Sequence, residues 1–415
     1  MAVSNAIWSY VLQAANLVSS VAVIPLLSRA LGAEGFGAYA GAFNLLTYLS
    51  VVTGYGFQLW GSREIARAEG TAVRGRIFYT ILWTKLVLLA LVTPAWLACV
   101  FVLSEGQGAE AIAILFVALV GLTFNSAWLF LGLQQLRAPA IAAALTKVAV
   151  VAYALVAIRE PDDLGKYCLA YGLGCLVEAL LQFVQARRFV DLRPVWDGIG
   201  SVLRVLRDSF ALFVTTALGT FLAGASVFVL GIVSTKAEVG GFAGVLKIVQ
   251  FLVTMFVPLS NALYPNSCRV GGSGLRGWTA RPFGLVARVI PVFVVLCSAI
   301  YLARTTLVAR FLGAGFEQYT SLMGPLVLWV VFAVLANLVG VHGLVARDRQ
   351  RAYLVSMAIA TVLTYVLAFT WGASSGASGT SWAMLVGEVA GVIAMIGFLL
   401  ASGARTVSGA GKREG

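Results

Sequence analysis

The feature that most constrains this chain is a succession of apolar runs about 20 residues long, each closed by a short polar turn. At a helical rise of about 1.5 Å per residue, such a run crosses the ~30 Å hydrocarbon core of a bilayer. Charged residues make up only 11% of the sequence and apolar ones 60%, with a mean hydropathy of +0.94. A soluble domain carries about 25% charged residues, so a water-facing surface cannot be built here. The chain reads as an all-α polytopic membrane protein of about 12 spans, at 5–27, 37–60, 78–102, 110–133, 140–158, 165–186, 209–234, 240–264, 283–303, 319–340, 352–371 and 380–402. The connections leave no room for a folded extramembrane domain.

The cations set the expected orientation. Connections after even-numbered spans hold Arg63, Arg67, Arg74 and Arg76, then Arg137, then Arg187, Arg188, Arg193, Arg204 and Arg207, and the pattern continues to Lys412 and Arg413. Odd connections are richer in acids, among them Glu105, Glu110, Glu160, Asp162, Asp163, Glu238 and Glu317. The bias places both termini in the cytoplasm. The net charge of +12 therefore reflects topology, and no nucleic-acid partner is expected, because the cations are scattered with no basic module. The first span lacks a basic leader and a cleavage site, so it is expected to be retained.

Two stretches echo one another. Phe36-Gly37-Ala38-Tyr39-Ala40-Gly41 aligns with Val239-Gly240-Gly241-Phe242-Ala243-Gly244 at an offset close to half the chain. Each joins the first and second spans of a six-span half, as in a parallel repeat about an axis along the membrane normal. The expected organisation is an N-terminal lobe at 1–186, a basic linker at 187–208, a C-terminal lobe at 209–402 and a cytoplasmic tail at 403–415. Arg29, Gly32, Gly37 and Gly240 mark the turns or gates at the lobe tips.

Charges within spans are costly, about 2.5–3.5 kcal/mol at helix centre, and mark functional positions by default. Lys85, Lys147, Lys247 and Arg288 qualify, with Glu178 and Glu388. The bland alternatives are snorkelling of the long cationic chains and structural pairing of Glu178 with Lys147 or Lys85 and of Glu388 with Lys247. Four cations against two anions still leave an excess of positive charge, which suits a water-filled cavity receiving phosphate or acidic sugar. Gln13, Asn44 and Asn125 add neutral polar lining, as do Asn5, Asn16, Gln250 and Asn261.

Catalysis finds little support. His342 is the sole histidine, there is no Walker-type loop, and the five cysteines show no metal-ligand spacing. No catalytic residue, cofactor or metal is expected. A membrane glycosyltransferase or polymerase would need a long outer loop with catalytic acids or arginines, and the longest here is about 304–318.

Several short motifs resemble the Wzx-type oligosaccharide flippases, the polysaccharide-transport branch of the MOP exporter superfamily. They are Asn5 and Gln13, Pro25, Ser28-Arg29-Ala30-Leu31-Gly32, Phe36-Gly37 with Tyr39, Gly54-Tyr55-Gly56-Phe57, Ser62-Arg63-Glu64-Ile65-Ala66, and Trp128-Leu129-Phe130 with Gly132. Glu238-Val239-Gly240 and Leu263-Tyr264-Pro265 extend the resemblance into the second half. It implies a MATE-like fold of two six-helix lobes in the bacterial inner membrane. It also implies alternating access for an undecaprenyl-diphosphate-linked oligosaccharide of O-antigen or exopolysaccharide synthesis, with H+ or Na+ coupling. Relatives carry an acid early in the seventh span, where this chain has Ala225-Ser226. Under this reading Lys85, Lys147, Lys247 and Arg288 attract the diphosphate, and Glu178 and Glu388 set their charge or carry protons. A multidrug exporter of the same superfamily is the alternative; it would bind cations through carboxylates, against the balance seen here.

Overall fold

The computed structural model describes residues 2–102, 107–191, 193–268, 275–347 and 349–410; many side chains of 2–21, 258–283 and 402–410 fall outside that description. Its helices are α1 Ala2–Gly54, α2 Phe57–Arg67, α3 Thr71–Val102, α4 Gln107–Phe124, α5 Ala127–Gly132, α6 Arg137–Ala157 and α7 Leu164–Ala186. There follow α8 Ile199–Val233, α9 Lys236–Cys268, α10 Leu275–Leu302, α11 Arg304–Phe311, α12 Met323–Val339 and α13 Gln350–Ala410. Among the described residues nine segments are long and apolar enough to cross a membrane, or ten when the two parts of α8 count as one.

Twelve crossings were expected; two of the nine or ten apolar segments, α1 and α13, are each broken at a glycine. The 53 residues of α1 would measure about 80 Å, more than twice the hydrocarbon core. They divide at Gly32, whose φ of 68° is open chiefly to glycine. In α13 the division is at Gly376, with φ of 58°. There the Glu238 carboxylate accepts the Ala377 N–H at 2.7 Å, capping the second half of the helix. Past the break the two helical arms run antiparallel: a Cβ on Gly391 would meet Ala360, one on Gly387 Thr364, and one on Gly379 Trp371. Small residues allow that approach, as membrane helices commonly require.

The chain forms two compact units, Met1–Gly224 and Ala225–Gly415. In the first, Phe57, Trp60, Ile65, Phe78, Tyr79 and Trp128 build an aromatic-rich core around α2, α3 and α5. Residues 187–208, expected as a linker, fold against this unit. Val190 and Val205 join its core, Asp191 N–H donates to Thr71 O at 3.0 Å, and Arg76 pairs with Asp197 at 2.6 Å. The Trp83 indole also donates to Val195 O at 3.1 Å.

In the second unit α9, α12 and α13 pack together, with Val339, Leu344, Val392, Met395 and Leu399 buried. The aligned turn there is the break at Ser234–Thr235 between α8 and α9, and Gly32 falls on Thr235 in the same alignment. Just beyond it, Gly241 lies so close to the Tyr319 ring that any Cβ would collide.

Candidate functional site

Four crossings of the first unit converge on a break in the membrane interior. The helix leaving Gln107 ends at Phe124 and restarts at Ala127, leaving Asn125 and Ser126 outside helical geometry. Asn and Ser bond readily to nearby main chain in place of helical partners. Here the Asn125 side-chain oxygen accepts the Ala127 N–H at 3.1 Å, and Ser126 Oγ donates to Phe124 O at 3.1 Å. Main-chain groups freed inside a membrane cost several kcal/mol each unless they are satisfied, so the break must be compensated by neighbours.

Those neighbours are the charged and polar residues singled out by the sequence. Lys85 Nζ on α3 donates to the Asn125 carbonyl at 2.9 Å. Gln182 Oε1 on α7 accepts the Ser126 N–H at 2.6 Å. Glu178, one turn earlier, accepts Asn125 Nδ2 at 3.1 Å and Gln182 Nε2 at 3.2 Å on one oxygen. Its other oxygen lies 3.7 Å from Lys147 Nζ on α6. Glu178 therefore pairs with Lys147 alone, while Lys85 meets a neutral main-chain carbonyl. Lys85 is enclosed, 5% exposed, whereas the Lys147 and Glu178 side chains are 26% and 16% exposed. Lys147 is thus the more exposed cation of this cluster, and Lys85 is committed to the broken helix. Of the two pairings considered for Glu178, the structure shows the one with Lys147.

Asn44 stands apart from this cluster. Its Nδ2 donates to Gly224 O at 3.3 Å, and Tyr48 OH donates to Phe221 O at 3.5 Å, so both grip carbonyls of α8. Asn44 Oδ1 is buried without a hydrogen-bond partner. Gln13 lies outside the described side chains, as do Asn5, Asn16 and Asn261. Arg29 sits one turn before the Gly32 break, and Gly37 and Gly240 are buried within helical stretches past the aligned turns.

In the second unit the expected pair is absent. Glu388 accepts the Trp329 indole N–H at 3.2 Å, and among the described residues Lys247 and Glu388 form no ion pair. Depth alone had matched them; the rotation of α9 and α13 about their axes turns Lys247 to an exposed face and Glu388 toward α12. Arg288 on α10 is exposed as well.

A second polar site in this unit went unnoticed in the sequence. His342 lies in a π-helical turn, Gly340–Leu344, and is buried. Its Nε2 is 3.1 Å from Ser260 Oγ and its Nδ1 is 2.7 Å from Ser267 Oγ, both on α9. Ser260 Oγ donates onward to Asn337 Oδ1 at 2.7 Å. Arg347 donates to the carbonyls of His342 and Gly343 at 2.7 and 2.8 Å, satisfying acceptors at the end of the helix. Ser260 and Ser267 are seven residues apart on one face of α9, the only signal that could have found this bridge.

Comparison with known proteins gives a consistent result. Residues 2–270 match the family described as polysaccharide biosynthesis protein. A protein of Escherichia coli K12 named "Putative O-antigen transporter" is 23% identical over 374 residues, 88% of each chain. One of the same name from Shigella dysenteriae is 21% identical over 268 residues, 65% of this chain and 68% of that protein. Among solved structures, an inward-facing multidrug resistance MATE family transporter of the MOP superfamily superposes with a TM-score of 0.68 at 15% identity, covering 95% of both chains. The lipid II flippase MurJ in an inward closed conformation gives 0.66 at 11% identity, covering 95% of this chain and 87% of its own. At these identities the structures establish the fold alone, a multi-pass helical architecture like that of those two proteins. The sequence match carries the assignment further: the chain belongs to the polysaccharide biosynthesis protein family of Wzx-type flippases that its own motifs resemble.

Proposed function

We propose that this protein carries a polyprenyl-diphosphate-linked oligosaccharide from the inner to the outer leaflet of the bacterial inner membrane, by alternating access, for O-antigen or exopolysaccharide synthesis. The observation that supports this most is the Lys85–Asn125–Glu178–Lys147 cluster, which gathers two lysines and one glutamate on four crossings. An apolar protein gains nothing in packing from such an excess, and an anionic headgroup does. Lys147, Lys247 and Arg288, the accessible cations, contact the diphosphate or acidic sugars, while Lys85 holds the interrupted helix that presents Asn125. Glu388, whose described partner is one indole N–H, is the candidate proton carrier, so coupling to H+ is favoured over a sodium site. Among the described residues no group of three acidic, histidine or cysteine side chains could hold a metal ion.

A multidrug exporter of the same fold would select cations through carboxylates. The MATE likeness does not favour that reading, since it reports fold alone. The cation bias supports a cytoplasmic position for both termini. The test is restoration of surface polysaccharide in a strain deleted for its flippase. The native chain should restore it, and Lys147→Ala, Lys247→Ala and Arg288→Ala variants should do so poorly at equal membrane abundance. Full restoration by all three would remove the cationic basis of the proposal.

A further inference from the structure

We infer that the cavity between α2, α3 and the start of α8 is a binding site for the phosphodiester headgroup of an anionic bilayer lipid. The cavity has a volume of about 390 Å³. Trp60, Ile77 and Val205 supply its apolar lining, and Arg76, Asp197 and Arg204 its charges. Arg76 Nε donates to Asp197 at 2.6 Å. Arg204 is exposed, and its side chain has no ion pair or hydrogen bond among the described residues. Gly200 also lines the cavity, and a Cβ there would meet nothing within 4 Å, so the space is open to a ligand.

The charges favour an anion when every acid of the neighbouring segments is counted. Residues 57–80 and 187–208 carry nine arginines and five acids. Glu64 is taken up by Arg63 and Arg67 at 3.3 and 4.0 Å, and Asp197 by Arg76. Asp191 Oδ1 accepts the main-chain N–H of Arg193 at 3.1 Å. Glu69 lies in the turn before α3, and Asp208 follows Arg204 by one turn, beside Arg207. Neither acid forms an ion pair among the described residues. With Arg207 and Asp208 included, the cavity keeps a surplus of one cation, and guanidiniums do not deprotonate in proteins. A phosphodiester carries one negative charge and offers fixed oxygens to the planar donor forks.

Depth in the membrane selects a lipid over a free anion. Trp83 on α3 donates its indole N–H to Val195 O at 3.1 Å and packs edge-on against Trp196 with ring centroids 5.4 Å apart. Tryptophans gather at the boundary between headgroups and acyl chains. Arg76 lies seven residues before Trp83, about 10 Å toward the headgroups at helical rise. Trp196, Ile199 and Leu203, at spacings of three and four, form an exposed apolar row beside Arg204. Acyl chains can lie along that row with the phosphate at Arg204. The cavity faces away from the Lys85–Glu178 cluster: Lys85 follows Arg76 by nine residues, about two and a half turns, which puts the two on opposite faces of α3. The occupant is therefore a resident lipid of the phosphatidylglycerol type and not the transported molecule. The inference is independent of the transport reading and needs only that the chain spans a membrane.

The experiment is native mass spectrometry of the full chain released from nanodiscs of equal phosphatidylglycerol and phosphatidylcholine. The wild type should retain phosphatidylglycerol preferentially. Arg204→Gln should lower that preference about fivefold, the ratio equivalent to ~1 kcal/mol for one arginine at an acidic membrane surface. Gly200→Leu, which fills the cavity without changing a charge, should lower it as well. Arg207→Gln removes the same charge outside the cavity and should leave the preference unchanged. A wild type without preference overturns the site. So does a folded Arg204→Gln or Gly200→Leu variant that retains the preference. An Arg207→Gln variant that loses as much as Arg204→Gln also overturns it, because the attraction would then be diffuse. Displacement of phosphatidylglycerol by inorganic phosphate would assign the cavity to a free anion, and displacement by equimolar undecaprenyl diphosphate would assign it to the transported lipid; either result overturns the inference.

Discussion

Lys85 donates its ammonium group to the main-chain carbonyl of Asn125 at 2.9 Å, where the fourth crossing is interrupted. A lysine in a membrane span is usually read as a group awaiting a ligand or escaping to the headgroups. This one completes the hydrogen bonding of a broken helix.

Lys85→Ala should therefore act on stability before it acts on transport. Leaving a buried carbonyl without its charged donor costs about 1–3 kcal/mol. Thermal unfolding of the purified protein in nanodiscs should show the loss, and transport should fall in proportion to membrane abundance. An unchanged unfolding temperature combined with abolished transport would return Lys85 to the ligand-contacting group.

Glu178 joins Lys147 and Asn125, so its effects should depend on both. A double-mutant cycle of Lys147→Ala and Glu178→Ala should give a coupling of about 0.5–3 kcal/mol, because each single change strands a partner. Glu178→Gln should be milder than Glu178→Ala, since the amide oxygen still accepts from Asn125 and Gln182. Additive effects in the unfolding data would contradict a direct pair.

The close approach of Gly241 to Tyr319 offers a steric test in the second unit. Gly241→Ala should destabilise by about 1–3 kcal/mol through overpacking. Shortening the neighbour, in Gly241→Ala/Tyr319→Ala, should relieve part of that strain. A Gly241→Ala variant with native stability would show that the contact yields freely.

His342→Ala should weaken the attachment of the π-helical turn to α9 by about 1–3 kcal/mol, since Ser260 and Ser267 would lose a shared partner in a dry environment. Hydrogen exchange localised to residues 337–347 is the readout, and protection equal to wild type would contradict the bridge.

Much of the fold was legible because the bilayer imposes one dominant rule, apolar length. The spans, the turn at Gly32 and its echo at Thr235 follow from that rule and from glycine placement. The motifs of the first third were also structural signals: a Cβ on Gly61 would press on Trp128 at 2.7 Å, and one on Gly132 on Ser62 O at 2.5 Å. What could not be read was rotation about helix axes. Counting residues from a membrane face gives depth, so Lys247 and Glu388 matched in depth while facing different neighbours. The break at Asn125 was hidden by its own apolar flanks, which continue on both sides as though the helix were whole. Residues 187–208 looked like a linker because they are basic, yet Trp196, Val190 and Val205 anchor them to the first unit by packing, beside the Arg76–Asp197 ion pair.

The central claim is that the accessible cations serve the passage of a lipid-linked anion across the membrane. The most direct measurement places the purified protein in liposomes loaded with fluorescent undecaprenyl-diphosphate-linked oligosaccharide and follows its exposure on the opposite leaflet. Wild-type protein should translocate it, and Lys147→Ala/Lys247→Ala should slow it about tenfold or more, as expected for losing charge-assisted bonds of about 1.5–3 kcal/mol. Translocation no faster than in protein-free liposomes, or undiminished in the double variant, would contradict the account.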